Sequence, residues 1–254
     1  MKAFVVIFLT LLPSAFLTAQ KVSLRSYCPN DYTQYKGTCY AYATTYIAAS
    51  AAFNIRDNIT DETAKKARAL SDGYIASKRN QELKPLIRAF SCCGINSTFM
   101  DALRILKNNG TYYKENYKEG CVKHHVDAPQ KTDELHRIKD YDIRCDLGNN
   151  TERSIQWIKE QLDAKRVVVC AIESSKSLMN FQSSTNDLIE FENVSNHKPM
   201  ANHVICITGY DETTRQFEIR NNFKNWGYKD SGFAKIKYSD FLSIADSAGV
   251  ILLD

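Results

Sequence analysis

Between Cys39 and Lys107 the chain carries apolar residues in blocks at helical spacing, whereas beyond Arg166 the apolar residues fall in short strand-length runs. The stretch from Tyr40 to Phe53 is rich in Ala and Tyr and contains neither Gly nor Pro, which predicts a helix over Cys39–Ile55. Further helices are predicted over Asp61–Ser77, Leu83–Phe90 and Thr98–Lys107. Thr60, followed by Glu62 and Thr63, supplies the N-cap region of the second, and Asn108-Asn109-Gly110 stops the last. From Tyr112 to Asn150 the chain is polar, charged and weakly periodic, and reads as a long connection. Thr151–Ala164 is amphipathic, with Ile155, Ile158 and Leu162 on one face. Arg166–Glu173, His203–Gly209, Phe217–Asn221 and Gly232–Tyr238 read as strands. Helices first and strands afterwards predict an α+β protein with a helical half packed on a β half.

The amino terminus stands apart. Lys2, the apolar run Ala3–Leu12, Pro13, Ser14 and a small residue at Ala19 have the order of a secretory signal peptide over residues 1–19. The apolar run is too short to span a bilayer, so no membrane association is expected after its removal. Residues 20–254 then form the mature chain, with a helical lobe over 39–110, a polar connection over 111–150 and a β lobe over 150–254.

Composition narrows the function classes. With 254 residues, 44% of them hydrophobic, the chain can bury a substantial core. A net charge of +4, carried by scattered basic residues, excludes an electrostatic nucleic-acid footprint. A secretory route favours disulfides among the eight cysteines. Cys170 and Cys206 sit in apolar strand-like runs and read as buried free thiols. Cys28, Cys92, Cys93, Cys121 and Cys145 remain, and their connectivity is open. Cys121 with His124 and His125 lacks a fourth zinc ligand and lies in a polar loop, so no metal or organic cofactor is expected. Sequons at Asn58, Asn96, Asn109, Asn149 and Asn193 fit a secreted glycoprotein.

Candidate chemistry centres on Cys39. It stands where a small-residue loop meets the first helix, and a helix N-terminus lowers a thiol's pKa. Asn202-His203-Val204 and Ile219-Arg220-Asn221 offer a base and an orienting amide, with Asn222 an adjacent rival for the latter role. Together they read as a Cys–His–Asn nucleophile set.

Four segments in the same order resemble the papain-like cysteine proteases. Gly37-Thr38-Cys39-Tyr40-Ala41-Tyr42 is similar to the family's Gly-Ser-Cys-Trp/Tyr-Ala-Phe. Cys92-Cys93-Gly94 with Asp101-Ala102-Leu103 resembles its Cys-Asn-Gly-Gly loop and following helix. Asn202-His203-Val204 through Gly209-Tyr210 matches Asn-His-Ala-Val…Gly-Tyr. Ile219-Arg220-Asn221-Asn222-Phe223, with Trp226-Gly227 and Gly232-Phe233, is a degraded form of Lys-Asn-Ser-Trp-Gly…Trp-Gly…Gly-Tyr.

The resemblance implies a two-lobed papain-like fold, the second lobe β-barrel-like, with a peptide cleft between the lobes. It implies a Cys39 thiolate–His203 imidazolium pair oriented by Asn221. Gln34 and the backbone N–H of Cys39 would stabilise the oxyanion. Gly94, Asn202 and Val204 would border the substrate, and Trp226 would cover or underlie the His–Asn hydrogen bond. There are departures. Lys36 replaces the usual upstream cysteine, leaving Cys28 as a substitute, and Ile95-Asn96 follows Gly94 where a second glycine is usual. Phe223 stands where the family has Trp. Residues 20–38 alone separate the predicted cleavage site from Cys39, which leaves no room for the family's helical propeptide.

The expectation is therefore a secreted or lysosomal (vacuolar) cysteine peptidase, monomeric, acting on a peptide or protein substrate. In place of a propeptide, a separate protein inhibitor, redox capping of Cys39 or compartment pH would each serve to restrain it. The alternatives are a catalytically inactive binding protein on the same fold and an acyl-transferring ligase using the same residues.

Overall fold

Cys39–Ala41 (α1), Tyr42–Ala49 (π1) and Ser50–Arg56 (α2) follow one another without a break, the middle eight residues wound as a π-helix. Every residue of π1 is buried. Its Ala and Thr side chains let neighbouring elements close on it, while Tyr42, Tyr46 and Ile47 fill the space between them. Tyr42 and Tyr46 stack at 4.8 Å between ring centroids, with Tyr32 against both. The computed structural model describes residues 20–30, 32–90, 93–94, 97–118, 120–122, 134–149, 151–189 and 201–253. Outside these lie the predicted signal peptide, Cys92, Asn96, His124, His125 and Asn193.

The helical layer continues with Glu62–Ala67 (α3), Asp72–Gln81 (α4), Pro85–Phe90 (α5) and Phe99–Asn108 (α6), of which α4 and α6 pack against the central helix. The single helix predicted over Asp61–Ser77 is two helices. Leu70 leaves the helical path to pair with Tyr113, and the Ser71 hydroxyl accepts from the Tyr74 N–H, capping a new start. Asp61, not Thr60, caps α3, accepting from the Ala64 N–H at 2.9 Å. Thr98 and Asp101 close a reciprocal capping box on α6.

The second layer is an antiparallel sheet in the order β2-β9-β3-β5-β6-β8. Its strands are Asp140–Arg144 (β2), Val168–Ser174 (β3), Ala201–Asp211 (β5), Gln216–Arg220 (β6), Phe233–Lys237 (β8) and Ala245–Leu252 (β9). Lys21–Ser23 (β1) adds to β5. Gln182–Ser183 (β4) and Gly227–Tyr228 (β7) pair separately. Among the described residues the sheet is open, so the lobe expected to be β-barrel-like is an open sheet, with β1 branching from β5 and Leu188 bridging Lys235 on the outer side of β8. Strand β2 comes from the segment expected to be connection only. Thr151–Asp163 (α7) covers the sheet, with Ser154, Ile155, Ile158, Gln161 and Leu162 buried.

The layers meet where β5 crosses the central helix, and the Cys206 thiol donates to the Ala43 carbonyl at 3.2 Å. Cys170 and Cys206 are free and buried, as their apolar runs predict. Cys93 is joined to Cys121, whereas Cys28 is free and buried, its thiol pushed up to about 12 by burial. No helix among the described residues is long and apolar enough to cross a membrane.

Candidate active site

Cys39 opens the central helix, and Thr38 before it already accepts at its carbonyl from the Ala41 and Tyr42 N–H groups. At this position the Cys39 N–H has no carbonyl four residues back to bond. Burial pushes the Cys39 thiol up from its ordinary value, while N–H groups of Val204, Tyr40 and Cys39 itself pull it back down. The last two belong to the helix start, whose partial positive charge favours the thiolate.

Strands β5 and β6 bring His203 and Asn221 together. His203 Nε2 stands 2.9 Å from Asn221 Oδ1. The backbone N–H of Asn222 donates to the same oxygen at 2.7 Å. Because a backbone N–H can only donate, the Asn221 amide must present oxygen to it. His203 Nε2 therefore carries the hydrogen, and Nδ1 keeps its lone pair. Phe223 lies parallel to the imidazole, 6.1 Å between centroids and 7° between planes. Burial pushes His203 below its ordinary value, and the Asn221 bond acts in the opposite sense.

Cys39 and His203 line one cavity of about 790 Å³, together with Gly94, Asn202 and Val204. Phe99, Met100, Ala171 and Ile172 give it an apolar wall, and Glu173 and Asp246 stand at its acidic side. Gly94 packs on the turn before Cys39, and a Cβ there would lie 2.3 Å from the Gly37 carbonyl oxygen. A side chain at this point would displace either the cleft wall or the loop that carries the cysteine. The wall is tied to the helix again by Tyr40, whose hydroxyl donates to the Cys93 carbonyl at 3.1 Å.

The other expected residues divide. Gln34 is joined to this network, its Oε1 accepting from Asn222 Nδ2 at 2.9 Å. Trp226 is not part of the cavity wall. Its indole N–H donates to the Leu178 carbonyl at 2.6 Å and its ring packs on Phe181, so the aromatic ring beside His203 belongs to Phe223. The two asparagines also separate, Asn221 on the imidazole and Asn222 on Gln34. Glu173 and Asp246 were not foreseen. They lie far apart in sequence, and only the pairing of β3 with β5 and β9 brings them to one rim.

No family model and no curated protein matches the chain. Solved structures do. Xylellain, a cysteine protease from Xylella fastidiosa, is similar over 92% of this chain and 86% of its own, with TM-score 0.62 and 19% identity. A structure from work on the mite allergens Blo t 1 and Der p 1 is similar over 96% and 74%, with TM-score 0.65 and 16% identity. The Carica candamarcensis cysteine protease CMS1MS2, solved with E-64, is similar over 92% and 98%, with TM-score 0.60 and 14% identity. The helical layer, the antiparallel sheet and the cleft between them are thus the parts of a papain-like fold.

Proposed function

We propose that this protein is a cysteine peptidase in which Cys39 is the nucleophile and His203 the general acid and base. The reading is carried by one observation, the 2.9 Å contact of His203 Nε2 with Asn221 Oδ1 at the wall of the cavity that Cys39 also lines. With Nε2 so engaged, Nδ1 is the nitrogen left to take a proton. In the reaction the Cys39 thiol proton passes to Nδ1 and sulfur bonds to the peptide carbonyl carbon, moving the carbonyl electron pair onto oxygen. The Cys39 N–H and the Gln34 amide would receive that oxyanion. The C–N bond then breaks, and the amine leaves with the proton from His203. Water, giving a proton to His203, releases the acid and restores the thiol.

Burial favours the uncharged forms of Cys39 and His203, and the helix start favours the thiolate. A second reading, a peptide-binding protein without turnover, draws on the same burial. The alternative acyl-transferring ligase would use these residues with an amine in place of water. Entry into the secretory route is part of the proposal and rests on residues 1–19.

Incubation with a quenched fluorescent peptide library, with and without an added amine acceptor, tests the reading. Hydrolysis that disappears in Cys39→Ala supports it. Peptide binding without cleavage, or amide products in place of acids, overturns it.

A further inference from the structure

The residue after the orienting asparagine is itself an asparagine, and its surroundings differ from those of its neighbour. Asn222 is fully buried. Its side-chain Nδ2 lies 2.9 Å from Gln34 Oε1, 2.8 Å from the Val204 carbonyl and 3.4 Å from the Cys39 carbonyl. All three partners are acceptors, so this atom must be the NH2 end of the amide. Its backbone carbonyl accepts from the Gln34 N–H at 3.0 Å, completing a two-point grip on that residue.

That grip determines which end of the Gln34 amide is available. Oε1 is held by a donor, so the NH2 end is the other arm, and Nε2 has no partner among the described residues. A glutamine without such a lock can turn its amide over at little cost, presenting oxygen as readily as nitrogen. Oxygen facing a developing oxyanion repels it.

We propose that Asn222 is a positioning residue that fixes the Gln34 amide with its NH2 group toward the oxyanion formed at Cys39. The inference rests on the cysteine-peptidase reading above. Asn222 touches neither substrate nor the reacting sulfur. It acts through Gln34, and through its N–H on Asn221 it also fixes the amide that sets the His203 tautomer. Truncating the side chain leaves that backbone contact in place, so the two effects can be separated.

A peptide nitrile, N-acetyl-phenylalanyl-glycine nitrile, isolates the first. The Cys39 sulfur bonds to the nitrile carbon, one C–N π bond breaks, and the thiol proton ends on nitrogen. The resulting thioimidate nitrogen occupies the oxyanion position whether or not the protein turns peptides over. Affinity is measured for wild type, Asn222→Ala, Gln34→Ala and the double variant, beside the rate of Cys39 alkylation by iodoacetamide, which forms no oxyanion. Losing one oxyanion donor is worth on the order of 10²-fold. Asn222→Ala is expected to weaken the nitrile by about tenfold or more, well beyond its effect on alkylation. The double variant should be no weaker than Gln34→Ala, because the two residues act as a unit.

Asn222→Asp provides a second arm if the alanine variant does not fold. Its carboxylate only accepts, so it should draw the Gln34 NH2 inward and weaken the nitrile at least as much as Gln34→Ala. Multiplicative losses, or a nitrile affinity that falls no further than the alkylation rate, overturn the assignment. Coupled losses in a protein that cleaves no peptide uphold it and overturn the peptidase reading alone. Absence of any nitrile adduct in the wild type overturns both.

Discussion

His203 on β5 and Asn221 directly after the end of β6, eighteen residues apart, meet at 2.9 Å through Nε2 and Oδ1. The contact is directional because the Asn222 N–H occupies the same oxygen and prevents the amide from turning over. The imidazole therefore has one tautomer and one free lone pair, which is the condition for a base that must accept from a thiol.

The first prediction follows from that contact. General acid–base catalysis contributes about 10²–10⁴-fold, so His203→Ala should lower kcat/KM by that order. Asn221→Ala leaves the imidazole present but unoriented and should lower kcat/KM by about tenfold to hundredfold, with KM changed less than kcat. Steady-state kinetics on one fluorogenic peptide checks both. Equal activities of wild type and Asn221→Ala would contradict the assignment.

A pH dependence comes with the burial of His203, which holds its pKa below the ordinary value of 6.5. The unfolded chain takes up this proton first as pH falls. Stability contributed by the neutral imidazole is thus complete above about pH 6.5 and is lost as pH drops toward the folded-state value. The acid limb of kcat/KM should likewise lie below pH 6.5. Phe223→Ala, which opens the parallel face of the ring to water, should move that limb upward. A profile recorded from pH 4 to 8 for both proteins decides this, and an unmoved limb would count against burial as the cause.

Gly94 should tolerate no side chain. A Cβ would stand 2.3 Å from the Gly37 carbonyl oxygen, both atoms belonging to backbone or held rigidly by it. Overpacking of this kind costs about 1–3 kcal/mol. Gly94→Ala is expected to lower the melting temperature and raise KM, since the displaced segments are the cleft wall and the cysteine loop. A melting temperature and KM equal to the wild-type values would show that the wall yields freely.

Glu173 and Asp246 are the carboxylates lining the cavity, and no ion pair engages either among the described residues. The apolar wall of Phe99, Met100, Ala171 and Ile172 suits the stem of a long side chain, and the acidic side suits its charged end. Peptides with Lys or Arg directed into this cavity should be cleaved faster than those with Leu. Asp246→Asn should reduce the preference severalfold, and more so at low salt. A library profile indifferent to charge, or unchanged by the substitution, would contradict this.

Much of this arrangement was legible before folding, for reasons that differ from residue to residue. The central helix was readable because Tyr40 to Phe53 contains no breaker, yet its π-wound middle was not, since propensity does not distinguish the two windings. The break at Leu70 was hidden by continuous helical propensity, although Ser71 is a recognisable cap. Strand β2, Asp-Tyr-Asp-Ile-Arg, sits at a sheet edge with no fully buried residue, and therefore resembles a polar connection. Strand β9 was obscured by Asp246, Ser247 and Gly249, where the close approach of the Phe99 ring leaves no space for a Cβ. At the site, Cys39 and His203 were readable from their neighbours. Asn221 and Asn222 carry the same amide, and only their positions relative to His203 and Gln34 distinguish them. The Cys93–Cys121 pairing likewise depends on which loops the fold brings together.

Whether Cys39 and His203 act as a pair is tested most directly by iodoacetamide alkylation of the folded protein between pH 4 and 9, with Cys39 located by mass spectrometry. A free thiol titrates near pH 8.5. Wild-type Cys39 is expected to be labelled readily at pH 6 to 7, and His203→Ala to confine labelling to pH values above about 8.5. Labelling confined to high pH in both proteins, or a Cys39 that resists alkylation throughout, would contradict the pair and with it the proposed chemistry.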